Sequence, residues 1–168
     1  MLLGGAFLGQ AIQINGTWNQ RFSSMYVQST TEGDWRCIKV NVTVDDQNRV
    51  SWYKTAHLHG GPLTVTTDTR YAQLHGDKVT VKTHVDALRL KDTKVMMKTT
   101  SVYDVHSYSN QTLVITGEDD PALYVWTKEG YDEGIDVPRL HAYLQELGFI
   151  VKDDEYNFIV ETYDNSKC

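Results

Sequence analysis

Residues 36–44 read RCIKVNVTV, and their alternation decides the fold. Ile38, Val40, Val42 and Val44 fall on one face; Cys37, Lys39, Asn41 and Thr43 fall on the other. Successive side chains of a strand point to opposite sides, so this is a strand with one dry face and one wet face. The wet face carries Asn41, which opens the N-glycosylation acceptor Asn41-Val42-Thr43. A glycan there needs an outward position, and the alternation supplies it.

The same pattern repeats on both sides of this run. DDQN (45–48) turns the chain into RVSWYKTAHL (49–58), where Val50 and Trp52 alternate with Ser51 and Tyr53. Strands are expected at 16–28, 36–44, 49–58, 63–74, 78–90, 94–108, 112–117 and 122–128, separated by short polar breakers such as HGGP, HGD and SNQ. Thr and Val dominate these runs, as a pleated, half-buried surface favours. Eight strands with hairpin-length connections predict an all-β, up-and-down antiparallel meander. A sheet of that size with one apolar face must pack on a second sheet or close into a barrel, and closure removes the exposed edges.

One segment breaks the period. In DVPRLHAYLQELGF (136–149), Leu140, Leu144 and Leu147 recur at helical spacing. Asp136 is a candidate N-cap, Pro138 suits the first turn and Gly148 is a candidate C-cap. Its single apolar stripe is enough to lie on the outside of a barrel. YNFIVETY (156–163) reads as a final strand.

At 168 residues and net charge −6 the chain is sized for one domain, and the charge argues against a nucleic-acid partner. No apolar run is long enough for a membrane span. Three sequons, at Asn15, Asn41 and Asn110, favour a secretory route and an extracellular location. MLLGGAFLGQA reads as the apolar part of a signal peptide or as an N-terminal arm, so residues 1–13 stand apart from a barrel domain at 14–168. The chain has two cysteines, Cys37 and Cys168, with no His or Cys companion at metal-ligand spacing. An oxidising compartment favours one disulfide between them. On the chain-entropy account, closing so long a loop stabilises the fold by about 4–5 kcal/mol.

The order of these features resembles the lipocalin family, nearest to its apolipoprotein D and bilin-binding branch. NGTW (15–18) is similar to the family's first signature, a tryptophan on the first strand that closes the barrel floor. RCIKVNVT is similar to the second strand of that branch, where a cysteine pairs with one near the C-terminus. The stretch from ALYVWTKEG to the helix is similar to the last barrel strand and packing helix. The resemblance implies an eight-stranded antiparallel barrel with a C-terminal helix packed outside and Trp18 plugging the narrow end. Lys128 stands where the family has an arginine across that tryptophan, and the family's Thr-Asp-Tyr signature is not recognisable in HSYSNQT (106–112).

A barrel of eight strands has room for side chains or one small ligand. Strand parity gives the candidate lining: Val42, Val44, Trp52, Tyr71, Val81, Val85, Met97, Tyr103 and Trp126. The functional expectation is a secreted carrier of one small hydrophobic molecule, such as a lipid, retinoid, sterol or pigment. The alternative is a filled barrel whose loops bind another protein, as an inhibitor or immune modulator. His57, His59, His75, His84, His106 and His141 lack the spacing of a metal site, so no metal or other cofactor is expected. No nucleophile elbow, zinc-protease motif or phosphate loop is present, so no catalytic activity is expected.

Overall fold

The computed structural model describes residues 12–30, 32, 35–58, 64–90, 93–131, 135–149 and 159–161, with side chains described except at 58, 64–71, 82–90, 93–100 and 159–161. The strands are β1 (Gly16–Ser24), β2 (Trp35–Val44), β3 (Arg49–Leu58), β4 (Thr64–His75), β5 (Lys78–Leu90), β6 (Thr93–Ser109), β7 (Thr112–Gly117), β8 (Leu123–Lys128) and β9 (Ile159–Glu161). Two helices, α1 (Met25–Thr30) and α2 (Val137–Glu146), complete the described elements. Neighbours from β2 to β8 pair antiparallel in chain order. β1 then closes the ring by pairing with β8 on one side and β2 on the other. The result is a closed eight-stranded antiparallel barrel, with β9 added along Phe22–Ser24 of β1.

The alternation that predicts β2 holds from Ile38 to Thr43, and is interrupted before it by a bulge between Arg36 and Lys39 in which Cys37 takes φ +53°. Ile38, Val40 and Val42 are buried, while Lys39, Asn41 and Thr43 are exposed. The turn into β3 is made by Asp45, whose Oδ1 accepts the backbone N–H groups of Gln47 and Arg49 at 2.9 and 3.0 Å. Such side-chain capture of the backbone is why Asp opens tight turns.

Parity changes sides once in β1. Gln20 pairs with Trp126 but Phe22 pairs with Val125, so Arg21 is an extra residue in the ladder. A bulge of this kind reverses the faces beyond it. Trp18 and Gln20 therefore point inward, and Phe22 points outward onto α2. With Val114, Leu123 and Val125 it forms an outer apolar patch that Leu140 and Leu144 cover. The helix is held at both ends. Asp136 Oδ1 accepts the Arg139 N–H at 3.1 Å. After Leu147, Gly148 takes φ +92°, and the N–H groups of Gly148 and Phe149 return to the carbonyls of Gln145 and Leu144, each at 3.0 Å. This left-handed closure satisfies carbonyls that the helix end leaves open.

One end of the barrel is floored. Trp18 is 3% exposed and its Nε1 donates to the Ile14 carbonyl at 2.9 Å. Asn15 Oδ1 accepts the Val44 N–H at 2.6 Å, which ties the incoming chain to the end of β2. The opposite end carries the β1–β2 connection. There the first strand stops at Ser24 instead of continuing to 28. Residues 25–30 coil into α1, where Ser29 and Thr30 donate to the Tyr26 carbonyl and Val27 is buried. These local side-chain bonds compete with a ladder once the strand has spanned the barrel. Of the final strand expected over 156–163, 159–161 is β9 and the rest lies outside the described residues, as do residues 1–11 and Cys168.

Candidate functional site in the barrel interior

The inward face of β3 runs Val50, Trp52, Lys54, Ala56, so strict alternation carries a lysine into the core. Lys54 is met by Glu32, which follows α1 and is 3% exposed. Their Nζ–Oε1 distance is 2.6 Å. Gln20 of β1 bridges both: its amide nitrogen donates to Glu32 Oε2 at 2.6 Å, and its carbonyl oxygen accepts from Lys54 at 3.3 Å. The same oxygen accepts from Trp126 Nε1 at 3.2 Å. The ammonium also lies 4.2 Å from the centroid of the Tyr124 ring and 5.8 Å from that of Trp126. A buried ion pair survives its desolvation only when remaining donors and acceptors are met, and here an amide and two π faces meet them.

Four rings surround this polar centre. Trp52 meets Tyr103 at 6.0 Å and Trp126 at 6.1 Å, both edge to face; Tyr103 meets Tyr124 at 6.2 Å in the same manner. The Tyr124 hydroxyl is pushed well above the usual phenol range, first by burial and then by the negative charge of Glu32. Tyr103 is raised too, by burial and by the charge of Asp120. Yet Trp52, Tyr103 and Tyr124 are half-buried, not buried, although they belong to the inner cluster. A ring enclosed by strands keeps accessible surface only where open space adjoins it, because packed side chains leave few voids. The inner face of the barrel therefore presents partly accessible π surface beside a satisfied charge pair.

Compared with known proteins, the chain matches no family model and no curated sequence.

Of the residues read as lining, Val42, Val81 and Trp126 are buried in the inner cluster, and Val44, Trp52 and Tyr103 pack against it half-buried. Tyr71, Val85 and Met97 lie on β4, β5 and β6, outside the described side chains; Val85 and Met97 are direct cross-strand partners. Trp18 is in the floor, and Lys128 is its cross-strand partner on β8, exposed at the strand end. Asn15, Asn41 and Asn110 are all exposed. The first two share one patch, where the Thr17 hydroxyl donates to Asn41 Oδ1 at 2.7 Å.

The histidines are scattered. His57 and His75 are exposed, and His141 is half-buried on α2. On β6, His106 has Nε2 3.1 Å from Thr116 Oγ1. His59 and His84 lie outside the described side chains. Among the described residues, no three histidine, cysteine or carboxylate groups converge as metal ligands.

Sequence reasoning missed Gln20, Glu32, Lys54 and Tyr124. Three of these had a signal. Lys54 is two beyond Trp52, Gln20 two beyond Trp18, and Tyr124 two before Trp126. Glu32, in a connection between strands, had none.

Proposed function

We propose that this protein is a secreted, lipocalin-like carrier that holds one small hydrophobic molecule inside the barrel, without bond chemistry. The observation that supports this reading is that Trp52, Tyr103 and Tyr124 are partly rather than fully buried inside a closed barrel. A filled barrel buries such rings fully. Edge-to-face ring walls suit a ligand with a flat or ring-bearing apolar body, which gains by burying its surface at about 25 cal/mol per Å2. The Lys54–Glu32–Gln20 centre then fixes orientation by hydrogen bonding to a polar group on that body.

The location and covalent features belong to the same proposal. Exposed Asn15, Asn41 and Asn110 are glycan acceptors, and Cys37 pairs with Cys168. In support of that bond, no cysteine among the described residues is free.

One measurement tests the set: native mass spectrometry of protein purified from a secreting host without lipid-stripping steps. The expected spectrum shows a discrete extra mass that is lost on denaturation. The remaining polypeptide should be lighter by the hydrogens of one disulfide and heavier by glycans at the three sequons. A protein that stays bare after incubation with a panel of lipids and pigments overturns the carrier reading in favour of a filled barrel that binds proteins through its loops.

A further inference from the structure

We propose that the first sugar of a glycan on Asn41 lies flat against the Tyr53 ring, which makes Tyr53 a carbohydrate contact built into the outer wall of the barrel. This rests on the reading of Asn41 as a glycan acceptor and adds where its sugar goes.

The register places the parts in one row. β2 lies between β1 and β3, and Asn41 stands directly opposite Thr17 on one side and Tyr53 on the other. All three belong to the outer face, because Trp18, Val40, Val42, Trp52 and Lys54 take the inner one. Residues directly opposite across antiparallel strands hold their Cβ atoms about 5 Å apart.

The Asn41 amide is turned within that row. The Thr17 hydroxyl donates to Asn41 Oδ1 at 2.7 Å, which draws the oxygen toward β1. The amide nitrogen is the other branch of the same planar group, so it faces the β3 side. A glycan is joined through that nitrogen, and the oxygen keeps its bond to Thr17 after the sugar is attached. The sugar thus leaves Asn41 on the side where Tyr53 stands.

Tyr53 offers what such a sugar needs. Among the described residues, Met25, Tyr53 and Val137 are the exposed large apolar side chains, and Tyr53 is the most exposed at 43%. Met25 and Val137 open helices, whereas Tyr53 sits mid-strand between Ser51 and Thr55 on a polar face. An acetylhexosamine has a polar rim and an apolar face of C–H groups. Laid on an aromatic ring, that face sheds water while the rim stays hydrated.

The test uses protein from a secreting host with its glycans trimmed to the first sugar. Thr43→Ala removes the acceptor motif and leaves Asn41 itself. It is made in the parent chain, in Tyr53→Ser and in Tyr53→Phe, which forms a cycle between sugar and ring. Melting temperature reads the coupling. Proton NMR reads the sugar, whose signals are those lost in Thr43→Ala.

In the parent chain the Asn41 sugar should raise the melting temperature by about 2–4 °C, the shift that one aromatic contact gives in a domain of this size. The gain should persist in Tyr53→Phe and fall below about 1 °C in Tyr53→Ser. The sugar's ring protons should lie upfield in the first two and return to ordinary positions in Tyr53→Ser. An equal gain in all three, with the sugar protons unshifted, overturns the contact while Asn41 remains an acceptor. A bare Asn41, read by peptide mass spectrometry, overturns the contact and the acceptor reading together. The carrier reading depends on the interior and stands apart from either result.

Discussion

Lys54 occupies a position where barrel patterning calls for an apolar side chain, and its neighbours determine what it does there. Lys54→Met leaves the Glu32 carboxylate buried without its cation. The expected loss is about 3–5 kcal/mol of stability in urea denaturation. The double variant Lys54→Met, Glu32→Leu should recover most of that loss, since an apolar replacement of both partners removes the stranded charge. A single-variant loss within about 0.5 kcal/mol would show that water reaches the pair and screens it. The sequence carried half of this site. Val50, Trp52 and Lys54 lie on one parity, so the lysine's inward direction was legible. Its partner was not, because Glu32 sits in a connection, where no periodicity says which way a side chain points. Gln20 follows Trp18 by parity, but the bulge at Arg21 ends that inference one residue later.

Elements were more legible than contacts. The eight barrel strands begin and end within a residue or so of their turn signals, apart from the end of β1. That error has a physical source. FSSMYVQ is rich in residues that suit a strand, and only the barrel's height and the bonds made by Ser29 and Thr30 stop it at Ser24. For α2 the capping residues said where to look, and its ends now make a quantitative expectation. Gly148 has φ +92°, and a Cβ placed there meets nothing within 4 Å. Gly148→Ala should therefore destabilise through the backbone alone, by about 1–2 kcal/mol. Asp136→Ala should remove about 1 kcal/mol at the other end. Thermal or urea unfolding reads both. An unchanged midpoint for Gly148→Ala would mean that the helix end relaxes into another closure.

For the whole molecule, the buried phenols set an alkaline limit. Tyr124 and Tyr103 keep their protons in the fold beyond the usual phenol value, which is about 10. Below that pH both folded and unfolded chains are protonated, and neither state is favoured by titration. As pH rises past it, the unfolded chain loses these protons first, so stability falls until the folded values are passed. Urea midpoints at about pH 8 and about pH 11 should differ, and Tyr124→Phe should reduce the difference while keeping the ring. An equal drop in wild type and variant would assign the alkaline loss to other groups. The closure of the ring through β1 has a different consequence, one of timing. Gln20 and Trp126 are 106 positions apart, yet they are bonded neighbours across the last seam. On a ribosome the first strand emerges early and can zip only to β2. Its other edge stays open until nearly the entire barrel has been synthesised. The seam joined last includes Gln20, so the Lys54–Glu32–Gln20 centre stays open to water on the β8 side until the barrel itself is finished.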